Sequence, residues 1–417
     1  MYTTKTLTIN DSKIDKTDKK IGLIVSLQIL IMSIKNMLIQ GSPLLLSINN
    51  RLNIALFFVI GVIYLWGFHD VCVRIKIRSV VVLMVSFILI LFSIILYNQN
   101  IPSIKELLPR TILYSFIGFF YISSINDFKY LLKYLTKFSY IIIVASAFSA
   151  YVLLQNSRMG YIDSQYNMPL SYFTTVPIMF LIHENNYRKN IISLSLITIG
   201  VLIIISFGSR SSILPIFIYI ILSFIRNSKV NFKTIIKFTT LTLLLLFIVL
   251  NFKYIIIIII NILINRGIYS RTLSLLVSGN ITDLSGRDKI YDIVLTEFYK
   301  RPFTGIGIGG SNFLTGTGTH SMYLEIFTSL GIIVGSFVFI YLFSTIAKGF
   351  YLSKGGPARE LILIYTCLVI TRGFIGGGLW TNYDLWRLLG LCTSTIATHS
   401  SVRYYNGISL GSSRYDR

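Results

Sequence analysis

Long apolar runs alternate with short polar segments along most of the 417 residues. Most runs are about 20 residues long, the length that an α-helix needs to cross a bilayer. The pattern predicts an all-α polytopic membrane protein with twelve spans, at 21–40, 52–68, 79–97, 107–123, 138–154, 168–183, 190–206, 211–225, 238–260, 321–346, 361–378 and 379–398. The whole chain, 1–417, is then a single integral-membrane domain. Span nine is either one helix or a helix broken near Lys253, where its apolar run passes into an isoleucine block.

Composition supports this interpretation. Hydrophobic residues make up 54% of the chain and charged residues only 13%, a balance that would make a soluble protein of this size aggregate. Cys72 lies on the predicted cytoplasmic side, and Cys367 and Cys392 lie within predicted spans. No disulfide framework is therefore expected.

Lysine and arginine are concentrated in every second loop, 23 on one side against five on the other when the long loop after span nine is set aside. The positive-inside rule then places both tails, 1–20 and 399–417, in the cytoplasm and the large loop 261–320 in the periplasm. No small-residue cleavage site follows span one, so we expect a retained anchor. The net charge of +22 is dispersed over short loops; it suits a lipid surface and argues against nucleic-acid binding.

The large loop contains the clearest local signals. Ser285 and Asp288 have the spacing of a capping box, which predicts that a helix begins there. Apolar residues follow at helical spacing at Ile290, Ile293, Val294 and Phe298. The end of this amphipathic helix is marked by Lys300, Arg301, Pro302 and Gly305.

A glycine-rich stretch comes next, with Gly305, Gly307, Gly309 and Gly310. Glycine lets a loop turn freely and approach a ligand closely, so we expect flexibility here. The G-x-G-x-x-G spacing in this stretch is not read as a dinucleotide site, because a predicted helix and not a strand precedes it.

His320 is the only histidine predicted on the outer side; His69, His183 and His399 lie at cytoplasmic ends of spans. Two interpretations are open. His320 either caps the start of the next helix, or it acts as a general base that the positive end of that helix keeps neutral.

Arg210 lies in a very short outer turn and Arg287 opens the loop helix. A cation at a helix N-terminus opposes the helix dipole, so helix stability does not explain Arg287. Arg210 either snorkels to the surface or, like Arg287, binds phosphate. Arg372 lies inside a predicted span and is a functional candidate on that ground. Asp384 and Arg387 form either part of a site or a structural ion pair.

A metal site finds little support. The chain contains no Asp-x-Asp motif, and Asp288 and Asp292 share a helix face without a nearby histidine. We therefore favour a solvated face for this pair and expect neither a metal nor another cofactor.

The segment from about 206 to 335 resembles the O-antigen polymerase and O-antigen ligase superfamily (Wzy and WaaL). The resemblance is carried by a Ser-Arg turn, Ser-Gly-Arg opening an outer helix, Pro-x-x-Gly-x-Gly, His-x-x-Tyr-Leu-Glu and Leu-Gly-Ile-Ile-x-Gly. One position departs from the family's pattern, because Tyr291 stands where the family usually has tryptophan.

The resemblance implies a GT-C-like, metal-independent glycosyltransferase of the bacterial inner membrane that uses undecaprenyl-diphosphate-linked glycans on the periplasmic side. It implies His320 as base and Arg210 and Arg287 as diphosphate ligands, with Arg110 or Arg372 assisting. Membrane lipids, a chain-length regulator and a flippase are the implied partners. A polymerase is the first expectation and a ligase acting on lipid A-core the second. A polysaccharide transporter is the third, although Glu325 and Asp384 provide few intramembrane carboxylates.

Overall fold

A computed structural model describes residues 3–41, 47–158, 167–207, 210–227, 252–268 and 287–412. Within these ranges the chain is helical and contains no β-strand. The prediction of an all-α protein is therefore confirmed for the described part of the chain.

The helices of the first half are α1 (Thr3–Gly41), α2 (Asn49–Cys72), α3 (Ile77–Leu96), α4 (Ile101–Arg110), α5 (Ile117–Ser123), α6 (Lys129–Arg158), α7 (Met168–Tyr187) and α8 (Ile191–Phe207). Those of the second half are α9 (Leu214–Asn227), α10 (Phe252–Ile264), α11 (Arg287–Lys300), α12 (Gly310–Thr315), α13 (Met322–Leu352), α14 (Gly356–Ile375) and α15 (Tyr383–Ser412).

Five stretches are long and apolar enough to cross a membrane: Asp15–Ile39, Arg51–Cys72, Ile77–Leu96, Lys129–Arg158 and Met322–Leu352. They coincide with predicted spans one, two, three, five and ten, and they indicate a membrane-embedded protein. The total of twelve spans stays a prediction. Most of span nine lies outside the described residues.

Three predicted spans have different boundaries in the structure. Span four, 107–123, is divided into the end of α4, a π-helical turn from Thr111 to Phe116, and α5. Pro109 lies inside α4 just before the change and has no N–H to donate, which breaks the regular hydrogen-bond pattern. Spans eleven and twelve do not meet at 378 and 379, because residues 376–382 separate α14 from α15.

The two tails are helical over most of their length. Helix α1 begins at Thr3, so residues expected in the polar tail 1–20 continue directly into the first span. Helix α15 continues to Ser412, well into the expected tail 399–417.

The chain forms two compact units, and one comprises Ile29–Ile54 and Leu135–Leu284. Its core contains buried apolar side chains from α1, α6, α7 and α8: Met37, Ile142, Ala150, Leu153, Leu170, Ile203 and Phe207. Helices α7 and α8 pack closely at Gly200, where a Cβ would lie 2.8 Å from Ile178 Cδ1.

The other unit comprises Met1–Gln28, Ala55–Tyr134 and Ser285–Arg417, and it contains most of the large-loop signals. The N-terminal side of α3 is fixed there by buried polar contacts. The Asp18 carboxylate accepts hydrogen bonds from Arg74 Nη1 at 2.6 Å and from the Asp127 amide at 3.0 Å. Lys76 donates to Ser394 Oγ at 2.7 Å, and burial lowers its pKa to about 8.

Candidate functional site

Helix α11 is the amphipathic helix predicted in the large loop. It ends at Lys300, the first of the four residues that mark its predicted end, and it buries Val294 and Phe298. Ile293, predicted on the same face, is instead 46% exposed. Ser285 of the predicted capping box lies outside the described residues, whereas Arg287 stands in the first turn of the helix.

The glycine-rich stretch after α11 is buried from Gly305 to Gly310. Gly305, Gly307 and Gly309 all adopt positive φ, between 73° and 80°, a conformation that favours glycine. A Cβ on Gly305 would lie 2.5 Å from the Thr328 carbonyl oxygen, and one on Gly307 would lie 2.5 Å from Tyr97 Cδ2. The close approach that these glycines allow is therefore to the protein itself, and the expected loop flexibility stays a prediction.

Side chains at the C-terminal end of α3 hold this stretch in place. Tyr97 donates its hydroxyl hydrogen to the Gly305 carbonyl at 2.9 Å, and Asn100 Nδ2 donates to the Ile306 carbonyl at 2.9 Å. The Ile308 amide donates to Ser93 Oγ at 2.7 Å. Buried backbone carbonyls need such partners, so these contacts give the stretch a defined conformation.

Helix α13 supports the same stretch through a kink at Gly331, which has φ 77° and ψ 170°. At this kink the Ile332 amide donates to the Pro302 carbonyl at 2.8 Å. One turn earlier, the Ile306 amide donates to the Thr328 carbonyl at 2.8 Å. The loop after α11 therefore supplies hydrogen-bond partners to backbone groups of α13 where the kink interrupts the helix.

His320 stands directly before α13 but does not cap it. Ser321 is the N-cap residue, and its side chain accepts a hydrogen bond from the Leu324 amide at 3.4 Å. His320 is exposed and has a φ of 53°, a left-handed conformation that is uncommon outside glycine. The capping interpretation of His320 is therefore wrong, and its unusual backbone is a feature that capping leaves unexplained.

The pKa of His320 is lowered, first by removal of part of the side chain from water and second by the positive charge of Arg287. Both causes disfavour the imidazolium and favour the neutral ring. Arg287 thus acts electrostatically on His320, and the two residues were predicted separately from the sequence.

A titration checks this coupling. Arg287→Gln is expected to raise the pKa of His320 part of the way to its ordinary value, because the cation is lost while the burial remains. The acid limb of any activity that needs the neutral ring should move to higher pH in step. NMR titration of the imidazole, with His69, His183 and His399 replaced by glutamine, measures the shift.

Arg287→Lys is the matched control, because it keeps the charge and should leave the pKa of His320 near the wild-type value. An unchanged midpoint in Arg287→Gln would show that the two side chains do not interact in the protein.

Arg372 has an internal partner instead of facing outward. Its Nη1 lies 2.6 Å from Asp384 Oδ2, and the residue is only 7% exposed. Arg387 Nη1 lies 3.1 Å from Asp384 Oδ1, and Arg387 Nη2 donates to Gln28 Oε1 at 3.2 Å. The ion-pair interpretation of Asp384 and Arg387 is confirmed, with Arg372 as a third member. Diphosphate binding by Arg372 stays a prediction and would require this buried cluster to open.

Arg110 lies in a different environment, at the end of α4 just before the π-helical turn. Its side chain is 67% exposed and forms an ion pair with Glu106 at 3.8 Å. An exposed pair at that separation holds a guanidinium weakly. Arg110 is therefore accessible to an anionic ligand.

Arg210 belongs to the other compact unit, where it begins a single 3-10 turn to Ser212. Its side chain lies outside what the structure describes. The rest of the turn is fixed to α7, because Ser211 Oγ lies 2.8 Å from the Tyr172 hydroxyl and Ser212 Oγ lies 2.8 Å from Ser171 Oγ.

Asp288 and Asp292 are both exposed, in keeping with the solvated face expected for them. Among the described residues, no cluster of three histidine, cysteine, aspartate or glutamate side chains has the geometry to hold a metal ion.

From the sequence, Glu325 was considered only as one of the intramembrane carboxylates that a transporter would need. It lies in the first turns of α13, is 7% exposed, and its Oε2 accepts a hydrogen bond from the Leu379 amide at 2.7 Å. It thereby fixes the 376–382 segment next to the helix that follows His320. Its place in an otherwise apolar run, five residues after the histidine predicted on the outer side, was the available signal.

Comparisons with protein-family models, with curated proteins and with solved structures found no match to this chain.

Proposed function

We propose that this protein is a metal-independent glycosyltransferase, an O-antigen polymerase of the bacterial inner membrane. It transfers a glycan from undecaprenyl diphosphate to a sugar hydroxyl of another lipid-linked repeat unit. The reaction takes place on the periplasmic side, between twelve spans of a GT-C-like frame. The observation that carries this proposal is the electrostatic effect of Arg287 on the exposed His320, which with partial burial disfavours protonation of its ring.

His320 acts as the general base. Its neutral imidazole takes the proton of the acceptor hydroxyl while that oxygen forms a bond to the anomeric carbon of the donor sugar. The bond from the anomeric carbon to the diphosphate oxygen breaks, and its electron pair leaves with undecaprenyl diphosphate. The proton on the imidazolium then passes to water.

Arg287 stabilises the diphosphate as it leaves. A planar guanidinium offers two parallel N–H donors to phosphate oxygens, and its charge offsets the negative charge that develops. The exposed Arg110 is a further cation for the same group, and the resemblance of its Ser-Arg turn adds Arg210 to the proposal. The positive charge of Arg287 also keeps His320 unprotonated, so one residue supports both halves of the reaction.

The resemblance of the 206–335 segment does not separate polymerase from ligase, and the acceptor decides between them. Loss of a polymerase leaves lipid A-core carrying a single repeat unit, whereas loss of a ligase leaves bare core. Lipopolysaccharide banding of a deletion strain separates these outcomes.

Transfer itself is tested with purified protein in lipid, given donor and acceptor lipids that carry the repeat unit. Wild-type protein should produce a ladder of lengthening chains on a gel. Arg287→Lys keeps the charge but loses the two-pronged geometry, so chain formation should fall at least about tenfold, by loss of about one good charge-assisted hydrogen bond. Equal ladders from both proteins would argue against diphosphate recognition by Arg287.

A further inference from the structure

The ends of two spanning helices indicate where the segment from Pro302 to Gly305 lies relative to the membrane. After the kink at Gly331, α13 runs without interruption from Ile332 to Leu352. That length corresponds to about 31 Å of helix, enough to cross the hydrocarbon core by itself. A crossing segment from Ile332 to Leu352 places the kink at one boundary of the membrane, about ten residues after the start predicted for span ten at 321. Because Ile332 bonds to the Pro302 carbonyl at 2.8 Å, the loop around residue 302 lies at the same level.

Helix α3 gives the same level independently. It has 20 residues from Ile77 to Leu96, or about 30 Å, so its C-terminal end also lies at a membrane boundary. Tyr97, the next residue, bonds to the Gly305 carbonyl at 2.9 Å. Two spans thus end against the same stretch of backbone, from Pro302 to Gly305.

The side chains at this level have an unusual composition for a surface in water. Tyr299 is 71% exposed and Phe303 is 66% exposed. Lys300 and Arg301, between them, are exposed as well. Lys300 forms an ion pair with Glu297. Arg301 is the second exposed cation at this level.

We propose that Tyr299, Lys300, Arg301 and Phe303 form an interfacial anchor that inserts into the headgroup region of the bilayer. Aromatic rings are favoured at the boundary between hydrocarbon and water, and basic side chains beside them meet lipid phosphates. The partner is a lipid surface, and the depth set by α3 and α13 identifies it. A protein partner would not require the exposed rings to lie at the ends of two spans.

The anchor has a consequence for α11, which ends at Lys300. The helix is tied to the membrane surface at its C-terminal end, so its orientation toward the bilayer is restricted. With the proposed function, the anchor would hold Arg287 and His320 near lipid-linked donors, although the anchor itself does not depend on any reaction.

Spin-label depth measurements test the anchor in full-length protein in phosphatidylcholine and phosphatidylglycerol nanodiscs. Cysteines are placed singly at Tyr299 and Phe303, with Cys72 replaced by serine and the two buried cysteines retained. Asp288→Cys, exposed on the first turn of α11, is the water reference. Ile340→Cys, 62% exposed on α13, is the hydrocarbon reference.

Labels at 299 and 303 are expected to show a ratio of oxygen to nickel-chelate accessibility between the two references. Ratios equal to the Asp288 reference at both positions would overturn the anchor, whatever the activity of the protein. A Phe303→Cys protein that fails to fold leaves Tyr299→Cys to decide, because the two side chains are exposed independently. Absence of transfer by the wild-type protein, with intermediate ratios at both labels, would count against the proposed reaction and leave the anchor standing.

Discussion

His320→Asn is expected to abolish chain formation while leaving the fold intact. The backbone at His320 is left-handed, with φ 53°, and asparagine is among the residues that tolerate this conformation best. Asparagine also keeps a hydrogen-bonding side chain of similar size, but it takes up no proton at neutral pH. If His320 is the base, the rate should fall by about 10² to 10⁴-fold, the usual contribution of general base catalysis.

The measurement is the rate of chain extension by purified protein, together with the affinity for the donor lipid. Removal of a proton acceptor raises the barrier more than it changes ground-state binding, so the rate should fall with little change in affinity. Lys354→Asn is a matched control, because Lys354 is the other described non-glycine residue with positive φ, at 43°. Substantial chain formation by His320→Asn would exclude the base role and leave Arg287 as a phosphate ligand.

Gly331→Ala is expected to cause the largest loss of stability of any single methyl addition in the described chain. The residue has φ 77° and ψ 170°, which alanine adopts only with strain of about 1 to 3 kcal/mol. Its Cβ would also lie 2.0 Å from the Phe303 carbonyl oxygen. Backbone cannot move aside as a flexible side chain can, so the total cost should be about 3 kcal/mol or more.

Thermal unfolding in detergent, followed by size-exclusion chromatography, measures this loss as a melting temperature lowered by several degrees. Gly61→Ala is the control, because Gly61 lies in α2 and a Cβ there meets nothing within 4 Å. Alanine is the better helix former, so that variant should be neutral or slightly stabilised. A wild-type melting temperature for Gly331→Ala would contradict the close contact between α13 and the 302–305 loop.

Local patterns in the sequence predicted the helices well where burial or lipid contact alone decides them. The apolar runs predicted the five long spanning helices, and the pattern after Asp288 predicted a helix with its end marked within 300–305, where α11 ends at Lys300. The same pattern failed at Ile293, which is exposed. In a membrane protein an apolar residue is as compatible with a lipid or interfacial surface as with the core, so periodicity does not separate the two.

The candidate site was predictable as a list of residues but not as an arrangement. His320 stood out as the only outward histidine and Arg287 as a cation at the wrong end of a helix. The electrostatic interaction between them depends on how α11 packs relative to the start of α13. No local spacing in the sequence encodes that arrangement. The partner of Arg372 is a similar case, because Asp384 lies on another helix.

The sequence by itself therefore determined the class of the protein, the long spanning helices and the residue types available for chemistry, because these depend on composition and on neighbours along the chain. Only the tertiary structure decided that the glycines from 305 to 309 serve close packing and that Arg372 is held in a buried ion pair. It also decided that Ser321, and not His320, caps α13. These outcomes depend on contacts between segments far apart in sequence, such as Tyr97 with Gly305, and such contacts form only when the helices pack.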